Sequence, residues 1–553
     1  ESFMLFFHIE NPSSMDIEFL NIQFSSESDY LTINDNFIEV GDLDGNSMTQ
    51  FIEISGSVDI STPPISIPII LELNGEIEGG QLNQFLTLDL VVTLNQSGFP
   101  VNEFGGVKSS PLIIDLDNDN NNEIIFGTMS GKLVVLNEDG SLENGNWPLN
   151  IGGQFWASPA VADLDNDGEL EIVISNHNKN LYIVDSAGNI ELEYFTDQFL
   201  VGTPALGNFD QDEDLEIAFS GISSTSKLFV VNSDTTWVDG FPIDINENVF
   251  TGVSVKDFDQ NGMDDVVLST NNGNLFLYYD NGELAMGFPI ETGSAIKSDP
   301  VIANINGGND LEILFGNDSG EFYCVSQSGD FLFTLNTGEP IKSSPAIIAH
   351  NNTVKIFFAT SGGTLYGISS EGTNLIGWPK YYDQDILSSP VFSDLDNDSS
   401  PEIITSTKVG EYIINDLYGN PFYNESISTG IITEGQPTIE DLDNDGDLEI
   451  FIGNQNGLTG LDIKFQGTLN PWNIFKGDNH RTGFLELSNQ IQLIGDANLD
   501  GLINILDILT ILNHILYNSE MSDSALLNSD FNTDGSINVT DIVLLVNYII
   551  SDI

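Results

Sequence analysis

The chain of 553 residues contains one cysteine, Cys324, one arginine, Arg481, and no apolar run approaching the ~18 residues of a membrane-spanning helix. A single thiol forbids an internal disulfide framework, and the run Phe322-Tyr323-Cys324-Val325 reads as a strand that buries it. With 13 Lys and Arg against 85 Asp and Glu, a formal charge of −72, no basic patch can neutralise a phosphate backbone or an anionic bilayer. Nucleic-acid partners and membrane insertion are therefore excluded. The opening residues Glu1-Ser2-Phe3-Met4 lack the basic and apolar regions of a signal peptide, and the missing initiator Met suggests a processed product or a piece of a longer precursor. Histidine is also scarce: His8, His177, His350, His480 and His514 lie in unlike contexts, none beside a nucleophile motif. No catalytic constellation stands out.

What is present is apolar and repetitive. At 40% hydrophobic residues with 35 Phe, the composition belongs to a folded chain and not to an acidic disordered tail. A unit of Ser/Thr-Pro, a short apolar strand and alternating Asp recurs from Pro111, with anchors at Pro159, Pro204, Val253, Pro300, Pro345, Pro390 and Pro437. The separations of 45 to 49 residues suit a four-stranded propeller blade. Eight units are countable, with seven blades as the alternative. An aromatic-Pro pair opens the fourth strand in several units, as at Trp147-Pro148 and Phe288-Pro289, and Phe99-Pro100 shows the same pair before the first unit. The stretch 98–107 can thus complete the last blade and close the ring. Trp472-Asn473-Ile474-Phe475, continuing to Gly483, reads as a surplus aromatic segment sealing that blade.

Residues 1–95 carry strand-like runs separated by turn clusters with no helical period, the pattern of an immunoglobulin-like sandwich. The expected organisation is a mostly β chain: sandwich 1–95, propeller 96–488 and a small α module 489–553.

The strongest chemical signal is a nine-residue loop, Asp-x-Asp-x-Asp-x-x-x-Glu. It occurs as Asp115, Asp117, Asp119, Glu123; Asp163, Asp165, Asp167, Glu171; Asp394, Asp396, Asp398, Glu402; and Asp441, Asp443, Asp445, Glu449. Two variants exchange one carboxylate for an amide: Asn208, Asp210, Asp212, Glu216 and Asp257, Asp259, Asn261, Asp265. Carboxylates crowded this closely repel one another unless a cation sits among them, and hard oxygen ligands of flexible geometry suit calcium. The fifth unit has Gly308 in the third place and the sixth, around His350, has lost the loop, so these two are expected to fold without metal. A site repeated six times reads as a structural staple and not a reaction centre.

On these loops residues 111–465 resemble the FG-GAP/VCBS repeats of integrin-type propellers. The resemblance implies calcium between the first two strands of a blade, and a glycan or protein ligand on the propeller.

From Asp496 the period changes. Asp496, Asn498, Asp500, Asn504 and Asp507 take places 1, 3, 5, 9 and 12 of a twelve-residue calcium loop, and Asp530, Asn532, Asp534, Asn538 and Asp541 repeat it 34 residues on, each followed by an apolar helical run. The pair resembles a type I dockerin. That resemblance implies a cohesin-like partner, or the chain's own surface, met through Ile505, Leu506, Val539 and Thr540. Eight calcium ions in all are expected. They offset only part of the charge, and an acidic surface that needs salt and calcium points to an extracellular or cell-surface location. The leading expectation is a noncatalytic binding and assembly protein, or the C-terminal part of a larger secreted enzyme. The alternative is a calcium-dependent polysaccharide lyase or glycoside hydrolase on a propeller fold.

Overall fold

Strand composition separates two kinds of sheet. In the repeats the runs are continuously apolar, such as Ile124-Ile125-Phe126 and Ile172-Val173-Ile174, and are buried throughout, as strands covered on both faces must be. In the N-terminal region Ser66–Ile77 alternates instead, with Ile67, Ile69, Leu71 and Leu73 buried and the residues between them turned outward. The computed structural model describes residues 2–551 except 60, 61, 63, 64, 213, 224, 309, 352, 425, 487–494, 496, 499–502, 504, 518–520, 522 and 533–535. It is mostly β, with three helices among the described residues.

One compact unit comprises Glu1–Asn95 with Tyr423–Ile427 and Asp462–Gln466. Its N-terminal strands form two packed β-sheets. A three-stranded sheet orders Ser2–Phe7, Ile52–Val58 and Leu31–Ile33. A four-stranded sheet orders Phe37–Leu43, Ile17–Ser25, Ser66–Ile77 and Gly80–Val91. Their inner faces meet in a core of Leu20, Ile22, Phe24, Ile54, Ile69 and Leu71.

The second unit, Gln96–Phe422, Ser428–Leu461 and Gly467–Ile553, holds the repeats. Each repeat folds into an antiparallel sheet in strand order, as in Ala160–Ala162, Glu171–Ser175, Asn180–Val184 and Ile190–Phe195. Eight such sheets follow one another, their first strands beginning at Leu112, Ala160, Ala205, Ser254, Val301, Ala346, Val391 and Thr438. The last sheet has three strands of its own, and Val101 bridges its outer strand through reciprocal backbone bonds with Leu458 of 2.9 Å each. On the inner side Thr438 Oγ1 donates to the Pro111 carbonyl at 2.7 Å, joining the last sheet to the first. The ring therefore closes with eight blades, and closure removes the open edges of its end sheets. The aromatic-Pro bonds at Phe99, Trp147, Phe241, Phe288 and Trp378 are all cis.

The aromatic segment after the last blade does more than seal that blade. The first strands of neighbouring sheets pack against one another and so line the axis of the ring. Along this axis the backbone N–H groups of Val161, Leu206, Val255, Ile302, Phe392 and Ile439 donate to carbonyls of Asn479, His480, Thr482, Gly483, Trp472 and Asn473. Residues 472–483 thus accept backbone bonds from six of the eight blades and plug the axis. The sole arginine is fully buried there: Arg481 donates from Nε to Pro159 O at 2.9 Å, from Nη1 to Phe475 O at 2.6 Å and from Nη2 to Pro111 O at 3.2 Å. Lys476, also buried, donates to the Val253 carbonyl, and burial pulls its ammonium down to about 8 against the attraction of Asp299. Sequence reasoning confined the segment to one blade because backbone bonds to successive inner strands leave no side-chain pattern.

Candidate metal centre

Each carboxylate loop joins the first strand of a blade to the second, and its shape is written in the residue types. Places 4 and 6 need left-handed backbone: Asn118, Asn166, Gln260, Asn397 and Asn444 have φ of 56–60° at place 4. Asn, with its short polar side chain, tolerates that region well. Gly168, Gly262 and Gly446 take place 6 at φ near 92°.

The first-place carboxylate organises the turn by accepting two backbone N–H groups four and five residues on. Asp115, Asp163, Asp257 and Asp394 all do so, at 2.8–3.2 Å. The fifth-place residue accepts the N–H two residues later, as Asp119 does from Asn121, Asp167 from Glu169 and Asp398 from Ser400. The ninth-place carboxylate is buried, and one of its oxygens accepts the N–H of the second-place residue at 2.6–2.8 Å, in Glu123, Glu171, Glu216, Asp265, Glu402 and Glu449 alike. Burial, reinforced by the carboxylates beside them, pushes Glu123, Glu171, Glu216 and Asp265 up to about 7 and Glu402 to about 8. The amide hydrogen bond opposes this shift without cancelling it.

The oxygens that converge within 4.8 Å of one another belong to Asp115, Asp117 and Glu123; Asp163, Asp165 and Glu171; Asp210, Asp212 and Glu216; and Asp257, Asp259 and Asp265. In the eighth blade the set is Asp443, Asp445, Asp447 and Glu449. Asp119 and Asp167 stand apart from their sets, whereas Asp212 and Asp445, at the same place and with the same backbone hydrogen bond, belong to theirs. Asp447 was not singled out, since it falls at place 7 of the nine-residue frame, and Asp441 is not in its set. The donor set fits a hard cation. Asp441 Oδ1, Asp443 Oδ1 and Asn208 Oδ1 are buried acceptors with no hydrogen-bond donor, a condition that costs free energy unless a cation meets them.

The two divergent blades show how such a loop is closed by other means. In the fifth, Asn306 Nδ2 donates to Glu312 Oε1 at 2.8 Å while Ile305 N–H holds Oε2, so an amide stands where the cation would. In the sixth, Ala346–His350 and Thr353–Ala359 extend until His350 pairs with Thr353, and the loop is gone.

Loops of adjacent blades also touch. Asn122 Nδ2 donates to Asp441 O at 3.0 Å, Asn166 Nδ2 to Asp214 Oδ1 at 3.0 Å, and Asn208 N to Asp264 Oδ2 at 3.0 Å. Cys324 lies buried in a strand of the fifth blade, where burial pushes its thiol up and leaves it inert.

In the C-terminal module Ile505–Tyr517 and Val539–Ser551 are helices, as the apolar runs required, and the shorter Asp523–Ser529 lies between them. Ile511 and Leu545 are fully buried, and the last carboxylate of each loop, Asp507 and Asp541, is buried at a helix start. Asp507 accepts from Asn498 N and Asp541 from Asn532 N, at 3.1 and 3.2 Å, the same contact repeated 34 residues on. Asp530 and Asn538 are also described, whereas Asp496, Asp500, Asn504 and Asp534 lie outside the described residues. Ile505, Leu506, Val539 and Thr540 are all exposed.

Residues 115–174 match the FG-GAP-like repeat family and residues 494–550 the type I dockerin domain. No curated protein sequence matches the chain. Among solved structures, the biofilm matrix protein Bap1 of V. cholerae is similar over 69% of this chain and 92% of its own, at 13% identity and a TM-score of 0.53. BamB from Moraxella catarrhalis is similar over 64% of this chain and 96% of its own, at 12% identity and a TM-score of 0.45. At such identity the likeness to Bap1 is one of fold alone. The chain carries FG-GAP-like propeller sequence and a C-terminal type I dockerin, a calcium-binding module of extracellular proteins whose partner is a cohesin.

Proposed function

We propose that this chain is an extracellular, calcium-stabilised binding protein whose propeller is attached to a cohesin-bearing partner through the C-terminal dockerin. Calcium in the propeller loops, held by the carboxylates that converge in them, is part of this reading. Its support is the convergence of three or four carboxylates in each loop around a buried ninth-place carboxylate. Magnesium, which keeps several waters and prefers fewer carboxylates, fits less well.

The observation that carries the docking role is the outward apolar face of the two dockerin helices. Ile505 is 67% exposed, Leu506 52% and Val539 61%, beside Leu509 and Val543 at 48% and 52%. Side chains of this kind are left in water at a cost unless a partner covers them. Asp507 and Asp541, buried at the starts of the same helices, would tie the orientation of this face to calcium in the loops. The pair at Ile505 and Leu506 is apolar where hydroxyl residues are common in cellulosomal dockerins, so the matching cohesin would present an apolar surface.

The experiment is capture of the full chain by immobilised cohesins in calcium and after chelation. Capture in calcium, lost on chelation and lost in the double variant Leu506→Asp, Thr540→Asp, is the expected result. Unchanged capture by the double variant would overturn it. So would the finding that no cohesin binds while deletion of residues 491–553 destabilises the propeller, which would make the module an intramolecular cap.

A further inference from the structure

The carboxylate loops occupy one end of the propeller strands. The opposite end, formed by the turns between second and third strands and by the segments leading into each first strand, has a different composition. Lys108, Lys132, Lys179, Lys227, Lys297, Lys342 and Lys408 all stand there, seven of the 13 basic residues of the chain. Between the seventh, eighth and first blades this end contains a cleft of about 360 Å³. Its walls include Lys108, Lys408 and Glu434, with Met129, Ile432 and Gln455.

The cleft is built, not incidental. Val107 N donates to Asn454 O at 2.9 Å, Gln455 N to Ile432 O at 2.8 Å, Thr433 N to Lys408 O at 3.0 Å and Met129 N to Gly106 O at 2.8 Å, so backbone bonds pin the walls to one another. A Cβ on Gly106 would meet Gln455 O at 2.4 Å, which restricts that position to glycine. Lys108 Nζ pairs with Glu434 Oε2 at 2.6 Å and lies 4.7 Å from the centre of the Trp156 ring. Lys408 is half-buried and, among the described residues, has no carboxylate within ion-pairing distance. Lys408 thus lines the cleft as a half-buried lysine free to meet an anion from outside.

We infer that this cleft binds an acidic saccharide, a pyranose carrying a carboxylate or sulfate group, with Lys408 meeting the anion. Glu434 and the exposed Gln455 amide accept from and donate to the ring hydroxyls. Met129 and Ile432 cover an apolar face of the ring, and Trp156, across Lys108 and 38% exposed, offers its edge to the next sugar. A peptide carboxylate would satisfy Lys408 alone, whereas a sugar acid also brings hydroxyls to Glu434 and an apolar face to the rim. The inference rests on the binding role proposed for the propeller and names its ligand class.

The test is calorimetric titration of the full chain in fixed excess calcium with four probes: a glucuronate tetrasaccharide, its methyl ester, a sulfated tetrasaccharide and an Asp-containing peptide. Binding of the carboxylated or the sulfated probe, at least tenfold tighter than the ester, supports the inference and identifies the anion. Lys408→Gln should weaken that binding at least tenfold with no change in unfolding temperature, and Lys342→Gln, an exposed lysine at the same end, should leave it intact. Equal binding of acid and ester, wild-type affinity in Lys408→Gln, or binding of the peptide alone would overturn it. Cohesin capture, measured on the same samples, reports on the docking role separately.

Discussion

Asp163 and Asp167 stand four residues apart in one loop and hold different bonds. Asp163 receives the N–H groups of Asp167 and Gly168 and also belongs to the converging carboxylate set, while Asp167 receives the single N–H of Glu169 and stands outside that set. Charge-assisted hydrogen bonds contribute about 1.5–3 kcal/mol each when buried and less in a wet loop. Asp163→Ala is therefore expected to destabilise the calcium-loaded protein by about 2 kcal/mol and to lower calcium affinity of the second blade, whereas Asp167→Ala costs under about half of that. Denaturant unfolding of the two variants in excess calcium checks the order; equal losses would show that both side chains act in the same way.

The loop as an element has a pH signature once the metal is removed. The ninth-place Glu123, Glu171 and Glu216 are raised from the ordinary 4.5 to about 7, and Glu402 to about 8. A carboxylate whose folded pKa lies above its unfolded value holds its proton more tightly in the folded state. It contributes stability that is complete below about pH 4.5 and is lost as pH rises through 7–8. The chelated protein should thus unfold at lower temperature at pH 8 than at pH 5. Calcium, which binds the deprotonated form, should reverse or flatten that trend. A calorimetric scan at both pH values with and without chelator measures it, and a chelated protein that gains stability toward pH 8 would contradict the assignment. The axial plug makes a second prediction at this scale. Arg481→Ala leaves the carbonyls of Pro111, Pro159 and Phe475 in a dry interior without that donor, at an expected cost of about 3 kcal/mol or more. Since the plug bonds to seven blades, Arg481 itself reaching the first, the loss should appear in the single propeller transition and not as local fraying.

For the whole molecule the closed ring determines how these effects combine. Loops of adjacent blades share hydrogen bonds, so a cation bound in one site would steady the backbone of the next. Each site loaded at a hundred times its Kd adds about 2.7 kcal/mol to the folded state. Chelation is accordingly expected to lower the propeller transition as well as the dockerin transition in differential scanning calorimetry. A propeller transition that stays in place on chelation would mean that the loops fold as acidic turns with no metal.

Much of this was legible in the residues, and for a definite reason. A blade is a local unit whose strands are neighbours in sequence, so the 45–49-residue period, the Asn and Gly at left-handed places of the loops and the 34-residue repeat of the C-terminal loops are all printed in the chain. They determined the mostly β class, the propeller, the dockerin and the place of the carboxylate loops between the first two strands of a blade. Tertiary structure decided what depends on distance across the ring. It chose eight blades through the bond between Val101 and Leu458, and it brought Asp447, outside the nine-residue pattern, to the carboxylates of the last loop. It threaded residues 472–483 along the axis, where backbone carbonyls of any sequence can serve as acceptors. It also brought lysines that look scattered along the chain to one end of the strands, because residues about one blade apart in sequence become neighbours only when the ring closes.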